Sequence, residues 1–402
     1  MNIYQLVFWL FFSTIFFSLV HADDMSEFRQ FASQQEDALN EELNEFEKFK
    51  KELEAGFAEY EKTYQDEFHA YKQEILTQWG EFKDTSPSVW VSYDDAGKVR
   101  RTVNYKTGDV QVELLIDKGK YIDQAKSDLD KAVYRLMNTT EKEAFKKDVV
   151  ANRVEEKISK LGKLLQKGDL TDERLFAIED FVALKINHSG YMNVSADAKN
   201  AANTDVRNAV KDDKEIVRIS FKIPHSIHEK AARYAQAVSM AADKENISDE
   251  LIYAIMETES SFNPMAKSHV PAYGLMQIVP RSAGKDATAY LYGKAKILAP
   301  SYLYKADNNI TIGAAYLHVI HYKYMRKVKD ETSRMYCAIA AYNTGTTNVA
   351  KAFIKRSSFQ KAVAEINKLE SDEVYERLKN YLPYKETRNY IIKVSTRMEK
   401  YQ

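Results

Sequence analysis

The N-terminal part of the chain has apolar side chains at the spacing of one long helix. From residue 25 to about residue 83 they recur every three or four positions, and the first proline after this run is Pro87. The positions are Leu39, Leu43, Phe46, Leu53, Phe57, Tyr60, Tyr64, Phe68, Tyr71, Ile75 and Phe82. Because many of them are phenylalanine or tyrosine instead of leucine or isoleucine, we expect this helix to pack on another part of the chain, and not to form a regular dimeric coiled coil.

After Pro87 the pattern changes from helical spacing to alternation. Apolar and polar residues alternate over residues 89–93, 99–105 and 110–116, and polar, glycine-containing turns separate the three runs. Alternation of this kind is typical of half-buried strands. The sequence therefore predicts three short strands joined as a meander.

Helical spacing returns after the third strand. It predicts helices at about residues 120–138, 140–167 and 171–185, then a polar loop around 187–213 and a strand at 216–223. Helices that follow a meander indicate an α+β accessory domain, which we assign to residues 87–223. Its residues form no constellation that predicts chemistry.

The remaining residues, 224–402, read as a mostly helical domain that begins at Pro224. The expected organisation is thus an export segment, the long charged helix, the accessory domain and this C-terminal domain, over residues 1–22, 23–86, 87–223 and 224–402. The expected fold class is α+β and mostly helical. Because every candidate catalytic or binding residue lies within residues 224–402, we expect this domain to fold and to be active without the rest of the chain.

One carboxylate in the C-terminal domain has an unusual setting. Apolar residues at 251, 252, 255, 256 and 262 have helical spacing, and Glu259 falls in the same sector, whereas Glu257 points to the opposite side. We therefore expect only Glu259 to face inward. Substitution of Glu257 should have almost no effect on activity. A carboxyl group among apolar side chains is poorly solvated, which raises its pKa and suits it to donate a proton near neutral pH.

Charge is divided unevenly along the chain. Residues 23–87 contain 18 acidic and 7 basic residues, and residues 224–402 contain 18 acidic and 26 basic residues, although the net charge of the whole chain is -1. A basic domain favours an anionic polymer as its partner. Nucleic acid would also fit this charge, but no recognised nucleic-acid motif accompanies it, so we expect none to bind.

The first 22 residues predict export. They contain no Asp, Glu, Lys or Arg, residues 6–20 are an apolar run, and small residues at Val20 and Ala22 resemble a signal-peptidase site. We expect a periplasmic protein that begins at Asp23. The alternative is a retained anchor and association with the inner or outer membrane, because the segment before the apolar run lacks a basic side chain.

An ordered set of motifs in the C-terminal domain carries a family resemblance. The set comprises Glu259-Ser260, Gly274-Leu-Met-Gln277, Asn309-Ile310 with Gly313, Ala341-Tyr-Asn-Thr-Gly345 and Arg388-Asn-Tyr390. In order and spacing it resembles the lysozyme-like domain of the lytic murein transglycosylases. One membrane-bound member of that family also has an upstream segment similar to the accessory domain, but that member is a lipoprotein. This chain has no cysteine directly after its signal segment.

The resemblance implies a role for each residue of the set. Glu259 would be the general acid, and the residues expected to bind or orient the substrate or that carboxyl group are Ser260, Gly274, Met276, Gln277, Tyr342, Asn343 and Tyr390. For Ser260 the alternative is a helix-terminal hydroxyl that bonds its own backbone. Met276 is expected to offer an apolar wall to a sugar, and Tyr390 to direct the Glu259 carboxyl.

The family's reaction needs only one protein carboxylate. Most glycosidases use two, whereas here Glu259 would protonate the oxygen of the β-1,4 bond between N-acetylmuramic acid and N-acetylglucosamine. It would then take the proton of the C6 hydroxyl as that hydroxyl closes on C1, which forms a 1,6-anhydro sugar. An intramolecular hydroxyl is already in position and needs no second carboxylate to recruit it.

Two other functions stay open at this point. The first is a hydrolytic muramidase that uses Glu259 with water, and the second is a non-catalytic peptidoglycan-binding or envelope protein whose long helix is the working part. The expected partner is the peptidoglycan glycan strand. Envelope or cell-wall machinery proteins that bind the N-terminal region, and peripheral association with a membrane, are the further partners considered.

No cofactor or metal is predicted. His318 and His321 are three residues apart on a predicted helix, but no third ligand has a recognisable spacing to them. The single cysteine, Cys337, lies in a largely apolar helical segment and is expected to be a buried core residue.

Overall fold

The computed structural model describes residues 22–94, 96–119, 122–176, 203–208, 213–223 and 227–402, with the side chains of 22–27, 122–123 and 203–208 left out. Residues 1–21 of the predicted signal segment and Pro224 therefore lie outside the described residues. The contacts of the chain divide it into two compact units, one ending at Ala55 and one from Gly56 to Gln402.

The long helix predicted from residue 25 is present as α1, Ala22–Trp79. In the first unit its large apolar side chains are exposed, namely Phe28, Phe31, Leu39, Leu43 and Phe46. In the second unit the same seam is buried, at Phe57, Tyr60 and Tyr64. A Cβ at Gly56 would lie 2.6 Å from Cδ1 of Ile297, so the helix approaches its neighbour closely there. Packing of the seam on another part of the chain is confirmed from Phe57 onward. Before it, Leu53 is buried too, and the prediction is wrong for Leu39, Leu43 and Phe46, which are exposed.

The predicted meander is confirmed and belongs to a larger antiparallel sheet. Its strands are β1 (Val89–Asp94), β2 (Val99–Asn104) and β3 (Asp109–Asp117). The predicted strand at 216–223 is β6 (Lys214–Lys222), which pairs with β3. A fifth strand, β5 (Asn203–Asn208), lies on the edge beyond β6. It falls within the predicted loop, and that prediction was wrong because the polar sequence of this edge strand lacks apolar alternation.

The helices that follow the meander are shorter than predicted. Helix α2 is Ile122–Met137, but the helix expected over 140–167 is divided into α3 (Glu141–Lys147) and α4 (Val149–Ile158). The break is at Asp148, whose side chain accepts a hydrogen bond of 3.0 Å from the backbone N–H of Ala151 and so begins a new helix. The helix predicted from 171 is absent over residues 171–176.

The accessory elements and the C-terminal domain share the second unit. After a 3₁₀ turn at Ser159–Leu164, strand β4 (Leu165–Gln166) pairs in parallel with β7 (Ile297–Leu298) of the C-terminal domain. The described residues from Gly56 to Gln402 belong to one compact unit, and these backbone hydrogen bonds join the accessory elements to the C-terminal domain within it.

The C-terminal domain is helical, as predicted. Its helices are α5 (Ile227–Ala232), α6 (Ala235–Glu245), α7 (Asp249–Glu259), α8 (Lys285–Tyr292), α9 (Pro300–Tyr304), α10 (Ala306–His318), α11 (Glu331–Thr344), α12 (Thr346–Lys351), α13 (Phe359–Ile366), α14 (Ser371–Tyr381) and α15 (Lys385–Met398). Short π-helical turns occupy Pro280–Gly284 and Val319–Tyr324. Helix α15 packs against α7 and α11, which brings three distant segments of the sequence together.

Candidate active site

Glu259 is the last residue of α7. The helix is started by Ser248, whose hydroxyl accepts a hydrogen bond of 3.3 Å from the N–H of Leu251. Glu259 itself is half-buried. Burial raises its pKa to about 7; the contact with Tyr390 works in the opposite direction, and the negative charge of Glu386 adds to the increase. Near neutral pH this carboxyl group can therefore both give and accept a proton.

The chain reverses directly after this carboxylate. Ser261 and Phe262 have φ angles of 54° and 64°, in the left-handed region that side chains other than glycine rarely adopt. Phe262 is buried, and its ring is stacked 6.3 Å from that of Tyr234. Backbone strain of this kind persists only where the surrounding structure enforces it, and it is common at functional sites.

Ser260 bonds backbone groups on both sides of the reversal. Its buried hydroxyl lies 2.7 Å from the carbonyl oxygen of Leu275 and 3.0 Å from that of Met256, and its proton is shared between them. It therefore joins the end of α7 to the loop at 274–277.

Asn309 on α10 holds this loop from behind. It is fully buried, its Oδ1 accepts a hydrogen bond of 2.8 Å from the N–H of Met276, and its Nδ2 donates to the carbonyl oxygens of Tyr273 and Leu303, each at 2.8 Å. At Gly274, where φ is 75°, a Cβ would lie 2.3 Å from Nδ2 of Asn309. Only glycine permits the loop to approach the asparagine so closely.

The other two residues of the loop differ in exposure. The side chain of Met276 is fully buried, and Gly313 leaves room for its sulfur. It supports the loop from inside the domain and does not offer the expected apolar wall to a sugar. Gln277, with a φ of 49°, is partly exposed, and its Nε2 donates to the carbonyl oxygen of Gly274 at 3.1 Å.

The end of α11 brings Tyr342 and Asn343 to the same place. The hydroxyl of Tyr342 donates to the carbonyl oxygen of Met276 at 2.9 Å, and its ring lies 5.4 Å from that of Tyr316. Burial raises the pKa of Tyr342, and the charge of Glu259 raises it further, so the two side chains are neighbours. Oδ1 of Asn343 accepts a hydrogen bond of 2.7 Å from the hydroxyl of Thr387 on α15.

Tyr390 on α15 completes the group around Glu259. Its hydroxyl is buried and makes no hydrogen bond of ordinary geometry with any described residue, although it lies close enough to Glu259 to lower the pKa of that carboxyl. Contacts between groups that transfer protons are often loose before substrate binds and tighten in the complex.

The structure thus brings all of the sequence-predicted site residues to one place. Two of them, Gly274 and Met276, belong to the 274–277 loop and support it from inside the domain. It adds Asn309, Thr387 and Glu386, to which the sequence analysis gave no role. Asn309 had a signal in the sequence, because it belongs to the ordered motif set. Glu386 and Thr387 had a weaker one, since they lie one helical turn before Tyr390.

The prediction that Glu257 faces away from the interior was wrong. Its side chain is buried, with Oε1 2.9 Å from Nε of Arg397 and 3.1 Å from Nζ of Lys400, and its Oε2 accepts a hydrogen bond of 2.9 Å from the hydroxyl of Tyr401. The end of the chain covers the face of α7 that helical periodicity assigned to solvent.

Replacing Glu257 with glutamine should therefore lower stability and leave the chemistry unchanged. The substitution removes the negative charge from the buried contact between Glu257 and Arg397. Because two of the partners keep some contact with water, the cost is moderate, and we expect a loss of about 1–3 kcal/mol in the free energy of unfolding. Urea denaturation checks the value. An unchanged midpoint, or a loss of cleavage at a temperature where the variant is folded, would contradict the assignment.

The two histidines and the cysteine serve the packing of the domain. The Nδ1 of His318 lies 2.8 Å from the carbonyl oxygen of Glu245, and Nε2 of His321 lies 2.7 Å from Glu331. The histidines thus face different partners. Cys337 is fully buried, as predicted, and burial raises the pKa of its thiol.

Comparison with known proteins finds similarity over the C-terminal part of the chain. The transglycosylase SLT domain family matches residues 236–364. The chain is 41% identical over 180 residues to membrane-bound lytic murein transglycosylase C of Cronobacter sakazakii, and 39% identical over 180 residues to that of Klebsiella pneumoniae. Each alignment covers 45% of this chain and 49% of the relative, so the chain spans about half the length of the curated relatives it matches.

Among solved structures, the chain is similar to the 70 kDa soluble lytic transglycosylase of Escherichia coli. The two are 24% identical with a TM-score of 0.33, over 42% of this chain and 24% of that one. Residues 236–364 match the transglycosylase SLT domain family, and over 180 residues the chain is similar to the lytic murein transglycosylases.

Proposed function

We propose that this protein is a peptidoglycan lytic transglycosylase. It cleaves the β-1,4 bond between N-acetylmuramic acid and N-acetylglucosamine and leaves 1,6-anhydromuramic acid ends. The observation that carries the proposal is the setting of Glu259, a half-buried carboxyl group with a pKa of about 7 that interacts with Tyr390 and directly precedes Ser260, whose hydroxyl bonds the 274–277 loop at Leu275.

In the first step Glu259 acts as the acid. Its proton passes to the glycosidic oxygen, the bond from that oxygen to C1 of the muramic acid breaks, and the electron pair stays with the leaving N-acetylglucosamine. In the second step the Glu259 carboxylate takes the proton of the C6 hydroxyl as the oxygen of that hydroxyl bonds C1. Glu259 is protonated again at the end, and no water is consumed.

The runner-up is a hydrolytic muramidase, and Glu386 is the observation that favours it. This carboxylate is exposed at the start of α15, one helical turn before Tyr390, and its charge acts on Glu259. A second carboxylate at a suitable distance could activate water. Mass analysis of digested murein sacculi separates the two reactions, because the anhydro product is lighter than the hydrolysed one by one water molecule. We expect the anhydro mass; the hydrolysed mass would overturn the proposed reaction.

The pH dependence of cleavage should follow Glu259. The first step needs its protonated form, so kcat/KM should decline as the pH rises through about 7. Tyr390→Phe removes the hydroxyl that lowers this pKa, so its decline should lie at higher pH. A rate profile for both proteins on soluble glycan fragments checks this. A decline near the pKa of an ordinary glutamate, or a decline at the same pH in both proteins, would contradict the role of Glu259.

We further propose that the protein acts in the bacterial cell envelope, where its substrate is found. The apolar and potentially cleavable segment at residues 1–22 supports export to the periplasm. Among the described residues there is no helix of sufficient length and apolarity to cross a membrane. Sequencing the N-terminus of the exported protein tests the proposal: Asp23 supports cleavage, and Met1 in a membrane fraction indicates an anchor.

A further inference from the structure

The segment that links Glu259 to the 274–277 loop is held from outside the C-terminal domain. This linking segment, residues 261–273, returns on itself, because the N–H of Gly274 donates to the carbonyl oxygen of Ala266 at 2.9 Å. Tyr273 exchanges backbone hydrogen bonds with Ile278, 3.1 Å and 3.0 Å long. A displacement of the linking segment would therefore also move Glu259 and the 274–277 loop, which lie at its two ends.

A buried ion pair fixes the middle of the linking segment. Nζ of Lys267 lies 3.3 Å from each carboxylate oxygen of Asp148, at the break between α3 and α4 of the accessory domain. Lys267 is only 4% exposed. Burial lowers its pKa, but Asp148, Tyr64 and Asp84 more than offset this effect, so the ammonium stays charged.

Asp148 is itself held on two other sides. Its Oδ1 accepts from the N–H of Ala151 at 3.0 Å, and its Oδ2 accepts from the hydroxyl of Tyr304 at 2.8 Å. Three elements therefore converge on one carboxylate, and its position relative to Lys267 is fixed.

Further contacts hold the ends of the linking segment. Nδ2 of the buried Asn263 donates to the carbonyl oxygen of Pro87 at 3.1 Å, just before strand β1. At the other end the hydroxyl of Tyr60, on α1, donates to that of Tyr273 at 3.0 Å. The accessory domain and α1 thus contact the linking segment at its start, middle and end.

We propose that Asp148 is a positioning residue for the cleavage reaction. Through Lys267 it fixes the linking segment, and with it the distance between Glu259 and the 274–277 loop. The accessory domain is then part of what shapes the active site, although none of its residues contacts the reacting atoms. This inference rests on the proposed function, and it differs from the expectation that residues 224–402 act without the rest of the chain.

The test uses the full chain with Asp148→Asn. Asparagine is almost the same size and its Oδ1 can still accept from the N–H of Ala151 to begin α4, but its Nδ2 replaces the oxygen that accepts from Tyr304, so the change removes the charge opposite Lys267 and one acceptor. We expect kcat on soluble glycan fragments to fall about 10- to 100-fold, because small displacements of reacting groups have effects of that size. KM should stay within about twofold, since the residues expected to contact the sugar are unchanged.

A second variant separates positioning from stability. Asp148→Asn alone leaves a buried ammonium without a full partner, so it is expected to melt at a lower temperature. Adding Lys267→Met removes that charge, and Asp148→Asn/Lys267→Met should recover the melting temperature without recovering kcat. Recovery of both would show that Asp148 contributes only stability, and the inference would be overturned. The double variant also keeps the test decisive if the single variant does not fold.

The matched control is Glu61→Gln. Glu61 lies on α1 and pairs with Arg281 of the C-terminal domain at 2.7 Å, so like Asp148 it joins the C-terminal domain to an earlier part of the chain, but the pair is exposed and lies off the linking segment. Its kcat should equal that of the unchanged protein. If the unchanged protein yields no anhydro product, the proposed function fails; if it is active and a folded Asp148→Asn variant matches it, only the present inference fails.

Discussion

Glu259→Gln should abolish the release of anhydromuropeptides while the fold and the binding of glycan persist. Glutamine has nearly the same shape as the half-buried glutamic acid, but it can neither donate the proton to the glycosidic oxygen nor accept one from the C6 hydroxyl. Loss of general acid catalysis corresponds to a decrease of about 10² to 10⁴ in rate. Chromatography of digested sacculi measures the products, and circular dichroism checks the fold.

Glu257→Gln is the natural control for this experiment, because it makes the same chemical change two residues earlier on the same helix. Assayed below its melting temperature, it should release the products at the normal rate. A Glu259→Gln protein with activity within about tenfold of the unchanged protein would remove Glu259 from the mechanism.

Asn309→Ala should cause the largest loss of stability among the single changes in the site. Alanine leaves the N–H of Met276 and the carbonyl oxygen of Leu303 without the Asn309 side chain inside the core, whereas the carbonyl oxygen of Tyr273 keeps its bond from the N–H of Ile278. Buried groups left unsatisfied cost about 1–3 kcal/mol each, so we expect a decrease of about 2–6 kcal/mol in the free energy of unfolding. The 274–277 loop should also lose its fixed position, and cleavage should decline even where the variant is folded.

Asn308→Ala provides the comparison. Asn308 is the preceding residue on α10 and makes one long hydrogen bond, 3.3 Å from its Nδ2 to the carbonyl oxygen of Tyr302. Its loss should cost less than about 1 kcal/mol. Urea denaturation of the two variants measures the difference, and equal midpoints would show that Asn309 does not hold the loop.

Local pattern was sufficient for much of the fold and for the main residue of the site. Alternation predicted strands β1, β2, β3 and β6, and helical spacing predicted α1 and the apolar setting of Glu259, because each depends on residues a few positions apart. The ordered motifs also predicted which loops would meet at Glu259. The polar edge strand β5 gave no such signal, since its pairing with β6 depends on backbone hydrogen bonds.

Tertiary contacts decided what local pattern left open. Periodicity assigned Glu257 to one face of α7, but only the folded chain shows that Arg397 and Tyr401 cover that face. Lys267 reads as an ordinary surface lysine until Asp148, 119 residues earlier, meets it in the interior. Helical and strand periods report which side chains share a face, whereas the partner of a buried charge is set by contacts between distant segments. The sequence by itself therefore determined the candidate acid and most of the elements around it, and the tertiary structure decided which residues hold that acid in place.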